Sequence, residues 1–261
     1  MGLNIFDLGR RGVSTNGLLT ARRGPSFEVF ATMCIHRHVD PEAFSSVISL
    51  LHCPDPKFTF SRRRGDALID RARSLEATRF LLKSKAEVLF FMDDDILFDP
   101  LDAVKVCKEA REKEAIVGAA YVLKKRGGGQ FNIKCLSDKK VLVFGKGGGL
   151  HEVRYVSTGF MAIHRSVLEE VAKTLPRCVF PDEEDFYPFF QPYAVGIEGR
   201  NIYLSEDWAM CQRAADCGFK TYCDTTVKLG HAGRTVYNWD NFEEAPLKKV
   251  DSLTYTERIE G

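Results

Sequence analysis

Apolar residues in this chain gather in short runs separated by polar, glycine- and proline-bearing stretches. The clearest run is Val88-Leu89-Phe90-Phe91-Met92, unbroken and ending directly at Asp93-Asp94-Asp95. A continuous apolar run of that length predicts a strand buried on both faces, as inside a parallel sheet. Residues 27–35 read as a first strand ending in Cys34-Ile35, residues 58–60 as a short second one, and residues 115–122 as another. Between them lie helical patterns. Asp40-Pro41 opens one that runs to about Leu51, with Pro at its first turn. Asp66 is expected to cap a long helix over 67–82, and Pro100 to open one reaching Lys113. The first half therefore reads as strands and helices in alternation, the pattern of an α/β domain with parallel strands.

The second half changes character. Two glycine triplets, Gly127-Gly128-Gly129 and Gly147-Gly148-Gly149, bracket the runs 131–135 and 141–144. Those runs predict an inserted β-hairpin turned at Ser137-Asp138, with the triplets as mobile hinges or ligand-approach loops. Residues 153–164 read as a strand broken at Thr158-Gly159, followed by a helix over 166–175. Residues 176–199, rich in aromatic, acidic and proline residues, read as a long ordered loop, a kind of segment that often carries function. Ser205 is expected to cap a helix over 206–217 closed by Gly218, and residues 219–229 to form a last strand. The organisation expected is a flexible arm over 1–25, one α/β domain over 26–235, and a tail over 236–261. That tail packs near the site through Tyr237, Trp239 and Phe242 and frays after Leu247.

Composition excludes more than it selects. The 261 residues are 44% hydrophobic and 28% charged with a net charge of +1, so this is an ordinary globular composition and no polycation. Basic clusters at Arg62-Arg63-Arg64 and Lys124-Lys125-Arg126 suit a solvated face or a phosphate contact. The eight cysteines show no zinc-binding spacing. Without a signal peptide or a long apolar span, they read as reduced thiols of a cytoplasmic protein with no membrane span.

Three carboxylates at the end of a buried strand repel one another. At least one pKa should rise unless a cation neutralises the group, and a hard divalent ion bound through oxygen is the simplest neutraliser. In an open α/β sheet the ligand crevice lies beyond the carboxyl ends of the strands. Continued strand alternation would point Asp93 and Asp95 one way and Asp94 the other. Asp94 and Asp95 could instead cap a following helix. His36-Arg37-His38 follows the first strand; its two histidines could bind a metal but better suit hydrogen bonding near a ligand. Arg71 and Arg73 sit near a helix start, where the dipole disfavours cations. Either an anionic ligand or pairing with Asp70 or Glu76 would compensate them. Glu206-Asp207 opens a helix, as the dipole favours, and His231 lies between glycine-flanked residues after the last strand.

Taken in order, four stretches resemble the family-2-like, GT-A-fold nucleotide-sugar glycosyltransferases. They are Asp93-Asp94-Asp95, then Thr158 to Arg165 (Thr-Gly-Phe-Met-Ala-Ile-His-Arg), then Leu204-Ser205-Glu206-Asp207-Trp208, then His231-Ala232-Gly233. Asp66 to Ser74 is similar to the arginine helix that precedes the aspartates in such enzymes. The resemblance implies a GT-A, Rossmann-like, mostly parallel sheet flanked by helices, and transfer of a single sugar from a nucleoside-diphosphate sugar, UDP-linked for preference. It implies Mn2+ or Mg2+ held by Asp95 with Asp93 and His231. His36, Arg37, Arg71, Arg73, Asp93, Asp94, Thr158 and Gly159 would lie on the sugar nucleotide. Asp207 would act as general base, supported by Glu206, with inversion expected. Ile35-His36-Arg37 departs from the Pro-Thr or Pro-Ser turn of many relatives, and the Gln-x-x-Arg-Trp signature of processive polymerases is absent. The acceptor is open: a glycan, a lipid-linked sugar or a protein, or a hydroxylated base in DNA, as in some phage and viral enzymes of this size. Two alternatives stand beside this reading. One is a sugar nucleotidyltransferase, disfavoured because no glycine-rich loop follows the first strand. The other is a non-catalytic module that binds a sugar nucleotide or polyanion.

Overall fold

The computed structural model describes residues 26–124, 130–138, 141–179, 184–197, 199–233, 236–239 and 252–256. The expected arm over 1–25 and the first glycine triplet lie outside the described residues. In chain order the elements are β1 (Glu28–Ile35), α1 (Pro41–Leu51), β2 (Lys57–Arg64), α2 (Ile69–Lys83), β3 (Val88–Asp93), β4 (Ile96–Leu97), α3 (Pro100–Lys113) and β5 (Ile116–Gly118). There follow β6 (Ile133–Lys134), β7 (Val141–Gly145), β8 (Leu150–Val153), β9 (Tyr155–Val156), β10 (Phe160–His164), α4 (Arg165–Thr174), β11 (Tyr193–Ile197) and β12 (Arg200–Leu204). Last come α5 (Glu206–Asp216), β13 (Thr221–Asp224), β14 (Gly230–Ala232), β15 (Val236–Tyr237) and β16 (Ser252–Thr256).

The main sheet has seven strands in the order β2-β1-β3-β10-β5-β13-β8. The pairs β1–β2, β1–β3 and β5–β13 are parallel, while β10 is antiparallel to both its neighbours and β8 to β13. Five strands thus run one way and two against them, the mixed but mostly parallel α/β sheet that the sequence pattern implies. Strand β3 lies third in the row and is buried from Val88 through Met92. Its alternate residues feed two cores. Leu89 and Phe91 pack with Phe80 of α2, Val167 of α4 and Met210 of α5. Val88, Phe90 and Met92 pack with Val47 of α1 and Val106 of α3. Helices therefore cover both faces, which is why β3 carries no polar residue before Asp93.

Two helix starts form as their sequences dictate. Asp40 accepts hydrogen bonds from the Glu42 and Ala43 amides (2.9 and 3.3 Å), and Asp99 accepts from Leu101 (2.8 Å), each with Pro at the next position. Gly218 takes φ +88° just past α5, a left-handed conformation that costs glycine nothing.

Elsewhere the structure departs from the expectation. Helix α2 starts at Ile69 rather than 67, with Leu68 at its N-cap and no side-chain cap. Asp66 instead accepts the Leu68 amide (3.0 Å) and a bidentate contact from Arg71. Arg62-Arg63-Arg64, expected in a loop, belongs to β2, because β1 pairs with it through Ile35↔Arg64. The strands expected over 115–122 and 219–229 shorten to β5 and β13. The runs 131–135 and 141–144 do not form a hairpin together. Strand β6 pairs with β9, and β7 pairs with β16. The chain therefore does not simply fray after Leu247: Ser252–Thr256 adds a strand whose Tyr255 ring meets Phe131 and Phe144 edge-on. A β-hairpin does occur at β11–β12.

The second glycine triplet is a packing device rather than a hinge. A Cβ on Gly148 would lie 2.7 Å from Thr225 Oγ1, and the Gly149 amide donates to that same oxygen at 3.0 Å. All eight cysteines are free thiols. Among the described residues no helix is long and apolar enough to cross a membrane.

Candidate active site

The parallel strands end together. Register pairs Cys34 with both Arg63 and Asp93, so the carboxyl ends of β2, β1 and β3 lie side by side. A cleft of about 390 Å³ opens there, of a size suited to a small ligand. Its lining includes Cys34, His36, Arg63, Asp66, Arg73, Asp93, Asp94 and Asp95. Strand geometry stops at Asp93, and Asp94-Asp95 form a turn. The expected alternation therefore does not run through the triplet, and its carboxylates take three different environments.

Asp93 turns to Arg73. This guanidinium, 5% exposed, donates to Asp93 Oδ1 and to Glu206 Oε1, each at 2.7 Å. Neither of the expected compensations for Arg73, a helix-internal pair or a free anionic ligand, is what meets it. It bridges the end of β3 to the start of α5 instead. Burial would lower its pKa, but Asp93 and Glu206 hold it above the ordinary value, so the cation is permanent. Burial raises Glu206 above the usual carboxylate range, Asp207 adds to this, and Arg73 opposes it. Glu76, also on α2 and 1% exposed, accepts from Thr32 (3.0 Å) and Ser61 (2.6 Å), which ties α2 to β1 and β2 beneath the cleft.

Asp94 is raised by burial first and then by Asp95 and Asp93, against a backbone N–H from His36. Asp95 behaves oppositely. Burial would raise it, but hydrogen bonds from His231 and Lys124 outweigh burial and leave its carboxyl below the ordinary range. Oxygen Oδ2 of Asp95 receives Lys124 Nζ and faces His231 Nε2 at 3.5 Å. The second small sheet, β15-β14-β4, makes that meeting: His231 pairs with Ile96, and the Ala232 amide donates to the Asp95 carbonyl (2.8 Å). His231 Nδ1 lies 2.9 Å from the Val122 carbonyl. A carbonyl only accepts, so Nδ1 carries the proton. Nε2 is the nitrogen left to face the carboxylate.

Thr158-Gly159 lies under Asp93. The Asp93 amide donates to the Gly159 carbonyl (3.0 Å). A Cβ on Gly159 would stand 2.5 Å from Tyr121 Oη and 2.8 Å from Asp93 Oδ2, so only glycine fits there. Thr158 is fully buried, and its Oγ1 has no hydrogen-bond partner among the described residues. At the head of α5, Asp207 Oδ1 accepts the Ser205 hydroxyl and the Trp208 amide (2.8 Å). Ser205 occupies the N-cap position, but its hydroxyl serves Asp207 in place of the helix amides.

The structure thus gathers Asp93, Asp94, Asp95, Arg73 and His36 at the cleft, with Glu206 joined through Arg73 and His231 through Asp95. Arg71 is instead paired with Asp66 (2.6 Å), and Arg37 does not line the cleft. Sequence reasoning missed Tyr121, whose buried phenol lies under Gly159 and meets the His231 ring edge-on at 4.9 Å. It also missed the specific place of Lys124 on Asp95. Neither residue carries a local pattern, although Lys124 stood out as part of a basic cluster. Among the described residues no three His, Cys, Asp or Glu side chains form a ready metal site.

No protein-family model matches this chain. No curated protein matches it either. Among solved structures it is similar to A197 from STIV, at 17% identity and a TM-score of 0.49, covering 84% of this chain and 97% of that one. It is also similar to GalNAc-T7 solved with UDP, GalNAc and Mn2+, at 13% identity and a TM-score of 0.41, covering 78% of this chain and 44% of that one. Likenesses this distant say nothing about activity.

Proposed function

We propose that this chain is a metal-dependent glycosyltransferase that moves one sugar from a nucleoside-diphosphate sugar to an acceptor hydroxyl. The observation that carries this reading is the Asp95–His231 pair. The ring is anchored through Nδ1 to the Val122 carbonyl, and Nε2 points at Asp95 Oδ2 across 3.5 Å. Anchoring one ring nitrogen to a carbonyl so that the other faces outward is how proteins prepare a histidine ligand. One carboxylate and one imidazole at the carboxyl edge of the sheet would suit Mn2+ better than Mg2+, which takes oxygen ligands. Asp95 and His231 would be the residues that hold the ion, with the diphosphate as its other partner. Four aspartates line the cleft, and each of the three that is paired, Asp66, Asp93 and Asp95, faces a cation of this chain, so this edge of the sheet is one where carboxylates and cations meet. When bound, the ion would stabilise the charge that develops on the leaving nucleoside diphosphate.

The chain's own groups supply the rest. Asp93, held by Arg73, presents its second oxygen beside Gly159 toward the nucleoside side of the donor. Asp207 takes the acceptor proton as the acceptor oxygen bonds to the anomeric carbon and the carbon–oxygen bond to the diphosphate breaks. Glu206 is tied to Arg73, so one guanidinium links the donor aspartate to the base pair and fixes their spacing. Attack opposite the leaving group gives inversion. The eight unbridged thiols suit a reducing, cytoplasmic setting.

The test is a panel of sugar nucleotides with Mn2+ or Mg2+, read by thermal shift and by slow donor hydrolysis. One donor that raises Tm only with metal, with the effect lost in Asp95→Ala, supports the reading. No shift with any donor, or full transfer by Asp95→Ala, refutes it. Release of nucleoside diphosphate rather than pyrophosphate separates it from a nucleotidyltransferase.

A further inference from the structure

Asp95 Oδ2 is the oxygen that His231 Nε2 faces, and it is also the oxygen that Lys124 Nζ occupies. An ammonium and a divalent ion cannot both sit on one oxygen beside the same imidazole. The lysine is not sealed in: its side chain is 33% exposed and Asp95 is 31% exposed, so it can swing off that oxygen. Phosphate oxygens are the groups best suited to receive it there.

We propose that Lys124 is a resident counter-cation that holds Asp95 until a divalent ion and a diphosphate arrive together. The ion takes Oδ2, and the displaced ammonium moves onto the diphosphate. This deepens the transferase reading and rests on it. It makes the metal and the nucleotide bind cooperatively, since the ion alone must evict a paired lysine whereas the ion with diphosphate gives that lysine a new anion. By linkage, whatever factor the diphosphate adds to metal affinity, the metal adds to diphosphate affinity. A charge pair this exposed is weak, so the metal alone gains little from its removal beyond the lost repulsion.

The experiment is Mn2+ titration by electron paramagnetic resonance, with and without UDP, on the wild-type chain and on Lys124→Met, Lys124→Arg and Asp95→Asn. Lys124→Met keeps the apolar stem and drops the charge. It is expected to bind Mn2+ alone about threefold more tightly than wild type, and to lose a similar factor of the tightening that UDP gives, while keeping the part that direct contact between diphosphate and ion supplies. Lys124→Arg keeps the cation and should resemble wild type, while Asp95→Asn should bind Mn2+ poorly with or without UDP. If Lys124→Met binds Mn2+ no more tightly than wild type while Asp95→Asn loses it, the metal site stands and the counter-cation is refuted. If wild type shows no Mn2+ site, or Asp95→Asn leaves it unchanged, the transferase reading fails and this inference falls with it.

Discussion

Arg73 offers the sharpest test of the site as built. It is 5% exposed and holds Asp93 and Glu206 at 2.7 Å each, with Asp207 adding to the negative field around it. Arg73→Met keeps the volume and removes the charge, leaving two carboxylates facing each other. A hydrogen bond to a charged group contributes about 1.5–3 kcal/mol, and deleting one partner of a buried ion pair costs about 3–5 kcal/mol. The expected loss at pH 8 is therefore about 3–5 kcal/mol, or about 6–20 °C in Tm for a chain of this size. It should depend on pH with a definite sign. Burial already raises Glu206, and Arg73 is the group that holds it down. Without Arg73 the folded-state pKa rises further. A raised carboxyl binds a proton in the folded state, so the loss shrinks as pH falls toward 5. Urea denaturation at pH 8 and pH 5, followed by tryptophan fluorescence, measures both terms. Adding Asp93→Asn and Glu206→Gln to Arg73→Met removes the stranded charges and should restore much of the stability. A loss below about 1 kcal/mol, as for an exposed pair, or a loss equal at both pH values, would refute the idea that this guanidinium joins the two carboxylates.

Other outcomes follow from the same geometry. Gly159→Ala forces a methyl against Tyr121 and Asp93, and overpacking of this kind costs about 1–3 kcal/mol. Donor binding should weaken more than stability; an alanine variant with wild-type donor affinity would show that Asp93 does not need that close approach. Glu109 on α3 is pushed up to about 7 from 4.5 by burial and then by Asp224. Its folded-state pKa lies above the unfolded value, so stability is full below about 4.5 and falls as pH rises toward 7. Glu109→Gln should flatten that slope and gain on the order of 2–3 kcal/mol at pH 8; parallel pH–stability curves for the two proteins would count against it. His231→Ala should lose metal-dependent donor stabilisation while Arg37→Ala keeps it, because only the former faces Asp95.

Much of the frame was legible because its causes are local. Five apolar residues followed by aspartates announce a buried strand that ends at solvent, and β3 is that strand. Asp-Pro pairs start α1 and α3 since cap and fixed φ act within one turn. Pairing was not legible. Residues 131–135 and 141–144 have strand composition, but composition does not choose a partner, and each run found a distant one in β9 or β16. The same limit applied to Arg62-Arg63-Arg64, whose place in β2 is decided by β1.

For the site, the inventory was local: a carboxylate triplet at a strand end, an arginine-bearing helix, Glu-Asp at a helix start, and a histidine among glycines. The wiring came from how distant segments pack. Parallel registry set Cys34 and Asp93 side by side, α2 carried Arg73 into the gap between Asp93 and Glu206, and β14 delivered His231 to Asp95. Arg71 and Arg73 are two residues apart on one helix, yet one meets Asp66 and the other Asp93. A helix sends side chains that close in sequence to different faces, and what each face meets is set by packing between distant segments rather than by the residues beside it.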